Sequence, residues 1–472
     1  MKIEVIISFS ILYDIIKLLE QEVKMYLKEL KIKNWQCIEE TDIKFENLML
    51  FIGQSNSGKS SIMSAIMFFL KYRNFRSRDL RNGTNFLAIE GSFYNYYKQS
   101  FQVADMTITG KNIHLKVTKT YDGDIYYFVF YNNIWNRITE EEYQSITEHV
   151  SILFIPSFSE KEQTEFFILS LLKILEKRKI NQPKALNKIV ATFNELQSEY
   201  TSRGLYRNLL FEIFGVLAQY SRDTGHSVLD NTLILFEEPE LYLHPQKQKE
   251  LFFNICVLTK LGTQIYVATH SNNFINLHMY KSICIVRKSE NIGSKVFQFK
   301  GYLFSGDEIK NFNMNYWINP DRSELFFAKK VILVEGQTDK IVLGYLSKKL
   351  DIYKYDYSIL ECGSKSLIPQ FIKLLNVFKI PYVAVYDKDN HLWRTPEEIE
   401  NSNQKNRIIE NSIKKDIGSC IMFENDIEEE IYQENRERKN YKNKPFYALK
   451  TVTNKEFIIP EKLEEKIRFI FK

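Results

Sequence analysis

Short runs of unbroken apolar residues alternate along this chain with stretches whose apolar positions recur every three or four residues, the pattern of buried strands separated by helices. Such strand-like runs, apolar apart from Thr232, Arg287, Ser358 and Ser419 at their ends, stand at 48–52, 152–155, 232–236, 265–268, 283–287, 331–334, 358–360, 382–386 and 419–423. Helical periodicity marks the stretch after residue 61 (Ile62, Ala65, Ile66, Phe69), then 161–177, 183–200, 205–220, 340–350 and 367–378. Alternation over 25–33, with Tyr26, Leu27, Leu30 and Ile32 apolar, and a second short run at 41–45 predict half-buried strands, and 75–155 reads as short strands joined by turns at 110–112 and 122–124. The expected fold class is α/β.

The pattern changes character in three places. Residues 159–220 are helical and charged, and fit either an inserted helical hairpin that dimerises or the helical half of the first domain. Residues 301–327, with Gly301, Gly306, Asn311, Asn313, Asn315 and Pro320, have little periodicity and read as a linker between a first domain at 25–300 and a second at 328–472. Residues 1–24 carry an apolar stretch broken by Asp14 and Lys17, too short for a bilayer and without a small-residue cleavage site. They read as an amphipathic helix or, preferably, as an extension upstream of a natural start at Met25.

Length and composition refine this picture. With 472 residues, 44% of them hydrophobic, the chain has material for two or three cores. The five scattered cysteines form no C-x-x-C pair, which argues against a disulfide framework or a zinc site and suits a reducing cytoplasm. The net charge of +5 permits a polyanionic partner without requiring one. No apolar run reaches membrane length.

Candidate chemistry sits where apolar runs end. Gly53–Ser60 matches G-x-x-x-x-G-K-[ST] between a strand and a helix, a loop whose backbone N–H groups cradle nucleotide phosphates. Gly53, Asn56, Ser57, Gly58, Lys59, Ser60 and Ser61 are the expected nucleotide-binding residues, with Lys59 on the outer phosphates and Ser60 on Mg²⁺. The run at 232–236 ends in Glu237 and Glu238; the first would join the Mg²⁺ shell and the second polarise the attacking water. His270, at the next strand end, is the expected γ-phosphate sensor. In the second domain Glu335, Asp339, Asp387 and Asp389 fall at the carboxyl ends of expected parallel strands and would form a hard-oxygen site for Mg²⁺ or Mn²⁺. A basic, aromatic stretch (Arg436, Arg438, Lys439, Lys442, Lys444, Phe446, Tyr447, Lys450) beside that acidic set points to phosphodiester contact.

Together, Asn56-Ser57-Gly58-Lys59-Ser60-Ser61, Glu237-Glu238-Pro239-Glu240 with Leu243-His244-Pro245, and Thr269-His270-Ser271 resemble the ABC-type ATPase of the OLD (overcoming lysogenization defect) family, and Val334-Glu335-Gly336 to Asp339 with Asp387-Lys388-Asp389 resemble its Toprim half. The resemblance covers roughly residues 25–447. It implies an ABC-type P-loop ATPase head with a helical insertion, followed by a Toprim domain with a parallel sheet. The implied activity is ATP-regulated, divalent-metal-dependent endonuclease cleavage, with DNA the favoured target and RNA, including tRNA, an alternative. Bacterial anti-phage defence is the implied setting, as in Gabija endonucleases and retron-associated members. By the same resemblance Glu335, Asp339, Asp387 and Asp389 would bind two ions, Glu428 would complete the set, and Lys444 would stabilise charge on the phosphate in the transition state. The expected partners are a second copy joined through the ATPase heads, as dimer or tetramer, and an operon-encoded helicase or a retron reverse transcriptase with its RNA–DNA. The signature loop that closes an ABC site from a partner subunit is degenerate here, as Ser202-Arg203-Gly204-Leu205-Tyr206-Arg207. A competing reading is an ATP-switched clamp or sensor that binds nucleic acid without cutting it.

Overall fold

The computed structural model describes residues 24–157, 161–178, 180, 184–195, 203–275, 277–289, 293–303, 322–433 and 443–472. Residues 1–23 of the expected extension at 1–24, most of the linker, Ser202 of the signature stretch, and Arg436, Arg438, Lys439 and Lys442 of the basic stretch lie outside the described residues. The chain divides into two compact units, one running through Phe274 and taking in Lys281–Gln298, the other formed by Ile275–Tyr280 and everything from Phe299.

The first unit begins β1 (Met25–Trp35), β2 (Ile38–Lys44), β3 (Leu48–Ile52), α1 (Lys59–Phe69), β4 (Phe86–Asn95), β5 (Phe101–Val103), β6 (Met106–Ile108), β7 (Asn112–Thr120), β8 (Ile125–Tyr131), β9 (Ile134–Ile138), α2 (Glu140–Thr147) and β10 (Ser151–Ile155). It continues α3 (Lys161–Lys177), α4 (Lys184–Glu195), α5 (Arg203–Thr224), β11 (Thr232–Glu237), α6 (Pro245–Lys260), β12 (Gln264–Thr269), β13 (Ile283–Ser289) and β14 (Gly293–Gln298). Among the described residues one sheet of 12 strands runs β10-β11-β12-β3-β13-β14-β2-β1-β4-β7-β8-β9. Strands β10, β11, β12, β3 and β13 pair in parallel, and the far half from β2 to β9 is antiparallel. The sequence explains the division. β3 and β12 are buried at every position, as strands covered on both faces must be, whereas β7 alternates buried and exposed residues. The sheet curls: the Gln264 side chain of β12 bonds both the N–H and the C=O of Leu27 in β1 at 2.9 Å. Inside the curl, α1 buries Ile62, Ala65, Ile66 and Phe69 against the sheet. Trp35, stacked on Phe68, donates its indole N–H to Ser64 Oγ at 3.0 Å.

The second unit contains β15 (Lys330–Val334), α7 (Gln337–Lys349), β16 (Tyr357–Glu361), α8 (Ile368–Val377), β17 (Tyr382–Asp387), α9 (Pro396–Ser412), β18 (Gly418–Phe423), α10 (Ile427–Tyr432), α11 (Lys444–Val452) and α12 (Glu461–Phe471). Its sheet runs β16-β15-β17-β18, parallel throughout. One face buries Ile332, Val334, Val383 and Val385 against α7, α11 and α12. On the other, Tyr382 donates to Asn376 of α8 and Tyr386 to Glu410 of α9, so helices cover both faces. The strand order reverses between β15 and β17. In such sheets the crevice outside the carboxyl ends at that reversal is where ligands bind. The α/β expectation is met in both units, with a mixed sheet in the first and the expected parallel sheet in the second.

Candidate functional site

In the first unit, β3 delivers the chain into the phosphate loop at the centre of the sheet. Gly53 has φ +149°, and a Cβ there would stand 2.2 Å from the Val286 carbonyl oxygen of β13. Gly58 has φ +108°, and a Cβ would lie 2.6 Å from Ser294 Oγ. Both positions therefore demand glycine, and they let the loop close into a cradle that a side chain would fill. Asn56 takes a left-handed φ of 60° within it. Ser57 Oγ is buried inside the loop without a hydrogen-bond partner, an orphaned group that suits an anion's oxygen. The buried Lys59 ammonium donates to the carbonyls of Gly53 (3.0 Å) and Gln54 (2.9 Å), and burial lowers its pKa to about 8 against the opposing pull of Glu238, Glu240 and Glu237. Ser61 Oγ sits 3.3 Å from Cys37 Sγ.

β11, two strands from β3, brings in the carboxylates. Glu237 and Ser60 line one cleft of about 830 Å³. Glu238 adopts a left-handed φ of 44°, held by its N–H on the Ala268 carbonyl at 2.7 Å. Its carboxylate lies 3.9 Å from His270 Nε2. Burial, with Lys59 nearby, lowers the His270 pKa despite Glu238, so the imidazole is neutral near pH 7. Glu240 underpins this corner by accepting from Thr269 Oγ1 (2.8 Å) and the His270 N–H (2.6 Å).

Two features were missed at the sequence level. The cleft is also lined by Arg73, Arg78 and Arg81, on a loop organised by the buried carboxylate of Asp79, which accepts from Gln36 (2.8 Å), the Arg76 N–H (2.8 Å) and Arg73. Four arginines within residues 73–81 were the available signal. The second is Arg207, the last residue of the degenerate signature stretch. It turns into its own chain, donating to the carbonyls of Pro156 (2.8 Å), Ser157 (2.6 Å) and Glu237 (3.2 Å), while its Nε and Nη1 are buried without partners. Burial lowers its pKa to about 10 in spite of Glu240, Glu238 and Glu237.

In the second unit the acidic residues gather at the sheet's reversal point. Glu335, following β15, accepts the Asp387 N–H at 2.9 Å, tying the ends of the two strands together. Asp339, in the first turn of α7, accepts the Gly336 N–H at 3.0 Å. Burial raises its pKa to about 7, with Glu335 and Glu428 adding to the rise. Asp387 is raised well above the usual range by burial and by Asp339, Glu335 and Asp426, and its Oδ1 has no hydrogen-bond partner. From beyond β18, Asp426 and Glu428 complete the cluster, and Lys444 at the start of α11 stands 3.5 Å and 3.4 Å from them. Asp426 Oδ2 is likewise buried without a hydrogen-bond partner. Asp426 was not among the site residues expected from the sequence. Behind it, buried His391 is 3.6 Å away and bonds Glu429 at 2.8 Å.

Asp389 is placed differently from the rest. Its Oδ2 accepts from Lys365 (2.5 Å) and Ser402 (2.8 Å), and its Oδ1 from Arg394 (2.8 Å). Burial alone would raise its pKa, but Lys365, Ser402 and Arg394 hold it below the usual carboxylate value. Among the described residues no three His, Cys, Asp or Glu groups stand in a ready-made metal-binding arrangement. The chemistry of the donor set nevertheless fits a hard divalent cation: Glu335, Asp339, Asp387 and Glu428 are each raised by burial and by neighbouring carboxylates, Asp426 is buried beside them, and Asp387 Oδ1 and Asp426 Oδ2 accept no hydrogen bond.

Comparison with known proteins bears on both units. Residues 25–188 and 136–275 match the family model described as AAA ATPase domain, and residues 326–389 match that described as overcoming lysogenization defect protein-like, TOPRIM domain. The chain is 22% identical over 474 residues to a protein of Thermus scotoductus (strain ATCC 700910 / SA-01) named OLD nuclease, a match covering 83% of this chain and 87% of the relative. Similarity to the Old nuclease of Escherichia phage P2 is 26% over 197 residues, covering 39% of this chain and 32% of that protein. Similarity to Endonuclease GajA of Bacillus cereus (strain HuB5-5) is 25% over 304 residues, covering 54% and 44%.

Proposed function

The chain belongs to the overcoming lysogenization defect family, an ATPase joined to a Toprim domain, and on that premise we propose that its ATPase unit regulates a divalent-metal-dependent endonuclease acting on DNA. The observation that carries the nuclease assignment is the convergence of Glu335, Asp339, Asp387, Asp426 and Glu428 at one sheet reversal, five carboxylates beside which stand the ammonium groups of Lys365 and Lys444. A surface meant only to bind phosphates gains nothing from such a set unless cations neutralise it. These residues would hold Mg²⁺ or Mn²⁺, which when bound supplies Lewis-acid stabilisation and an activated water. Lys444 offers its ammonium to the scissile phosphate.

In the ATPase unit Lys59 and the loop amides bind the phosphates, Ser60 and Glu237 hold Mg²⁺, Glu238 orients the attacking water, and neutral His270 reads the γ-phosphate. With Arg207 committed to its own chain, ATP acts mainly as a conformational signal between two copies joined through their heads. Phage defence in the cytoplasm is the setting we assign. Among the described residues no helix is long and apolar enough to cross a membrane.

The test is cleavage of plasmid, linear duplex, single-stranded DNA and tRNA with Mg²⁺ or Mn²⁺, with and without ATP. Duplex DNA is expected to be cut, and Asp387→Ala to lose cutting while keeping ATP binding. Cutting that survives in this variant refutes the site, and exclusive cutting of tRNA moves the target to RNA.

A further inference from the structure

The carboxylate cluster contains a buried ammonium to which the proposed chemistry gives no task. Lys365 follows β16 through the turn Cys362-Gly363-Ser364, and its Nζ reaches the Asp387 carbonyl, Asp389 Oδ2 (2.5 Å) and Ser402 Oγ (2.8 Å). Those are three acceptors for three N–H donors. Glu335 Oε1 is a further 3.8 Å away. A buried ammonium is costly unless it is paired and fully hydrogen-bonded, and this one is both. Ser402, itself buried, braces the pair by donating to Asp389, while Arg394 caps the other carboxylate oxygen. The cluster is thus divided. Around Asp389 and Glu335 the chain supplies Lys365 and Arg394; on the other side Lys444 stands 3.5 Å from Asp426 and 3.4 Å from Glu428, and Asp387 Oδ1 accepts no hydrogen bond.

We propose that Lys365 stands in for a second divalent ion: its ammonium, fixed on Asp389 and beside Glu335, fills the cation requirement of that half, so the cluster takes one tightly held metal ion on the Asp387 side rather than two. This rests on the reading of the cluster as a metal site. It makes Lys365 and Arg394 positioning residues that keep Asp389 on internal cations, and it gives the turn at Gly363 the task of delivering that ammonium.

Counting bound Mn²⁺ by electron paramagnetic resonance on the full chain without nucleotide tests the idea. One tight ion per chain is expected for the wild type and for Lys365→Arg, which keeps the charge. Lys365→Met is expected to take a second ion and to show the spin–spin coupling of two neighbouring Mn²⁺. Two tight, coupled ions in the wild type would overturn the proposal, and so would a Lys365→Met variant with native circular dichroism that still binds one. The wild-type count decides even if Lys365→Met fails to fold. Asp387→Asn separates the two readings: it should lose the tight ion, and unchanged binding there would sink the metal site itself rather than the role of the lysine.

Discussion

Neutralising Asp339 should stabilise the second unit while spoiling its metal site. Its carboxyl titrates near 7, against 3.8 when unperturbed, because it is buried among Glu335 and Glu428. At about 1.4 kcal/mol per pH unit of displacement, ionised Asp339 costs the folded state at most about 4 kcal/mol above pH 7. The sign follows from a raised carboxyl. Its stability is fully present below pH 3.8, is lost progressively as pH climbs to about 7, and changes no further above that. Since Glu335, Asp387 and Glu428 share the same field, relieving one member is worth about half, roughly 2 kcal/mol, or about 4–8 °C in a unit of this size. Asp339→Asn keeps an acceptor for the Gly336 N–H, so the first turn of α7 stays capped. Thermal unfolding in EDTA at pH 5 and pH 8 is the assay, with the relevant transition identified as the one Mn²⁺ moves in the wild type. The variant should melt higher at both values, by more at pH 8, and respond less to Mn²⁺. A variant that melts below the wild type at pH 8, or a gap that narrows as pH rises, would refute the reasoning.

Other expectations are more direct. Lys59→Met removes the only loop ammonium described at the Gly53 and Gln54 carbonyls and should weaken ATP binding about 100-fold, seen by fluorescent-nucleotide titration, with Mn²⁺ uptake by the carboxylate cluster unchanged. Gly58→Ala should cost about 1–3 kcal/mol in urea unfolding as well as ATP binding, since φ +108° and the close approach of Ser294 both oppose a Cβ. Arg207→Met should cost about 1–3 kcal/mol in urea unfolding, because it leaves the Pro156, Ser157 and Glu237 carbonyls without this donor and the carboxylates behind β11 without this cation. The same change frees the Glu237 carbonyl and should lower ATP hydrolysis about tenfold in a phosphate-release assay.

What the sequence made legible was what burial dictates locally. The runs at 48–52, 232–236 and 265–268 could only be strands covered on both faces, and the residues that follow them had to lie at one edge of a sheet. That reasoning reached Lys59, Glu237, Glu238, His270, Glu335 and Asp387 without coordinates. It did not reach Lys365, because a lysine two residues after a glycine turn looks the same whether its stem points into solvent or into a carboxylate cluster. Nor could it show both oxygens of Asp389 occupied, which depends on Arg394 and Ser402 arriving from α9 and the loop before it. Arg207 was legible only as part of a motif facing a partner, and the fold turned it inward because Glu237, Glu238 and Glu240 create a negative field behind β11.

The neighbours of β3 carry a consequence for how the chain is made. The strand that feeds the phosphate loop sits between β12 and β13, whose residues lie more than 200 positions later, and β1 is clamped by Gln264, 237 positions away. Such high contact order makes folding slow, since loop closure must be accomplished before the pairing repays it. On the ribosome the apolar strand 48–52 has to wait for residues 264–287 to emerge before both of its edges are covered. An uncovered strand of that composition is an aggregation hazard. Nascent chains arrested just before β12 should therefore engage chaperones far more than chains arrested after β14, and ATP binding should appear only in the longer ones.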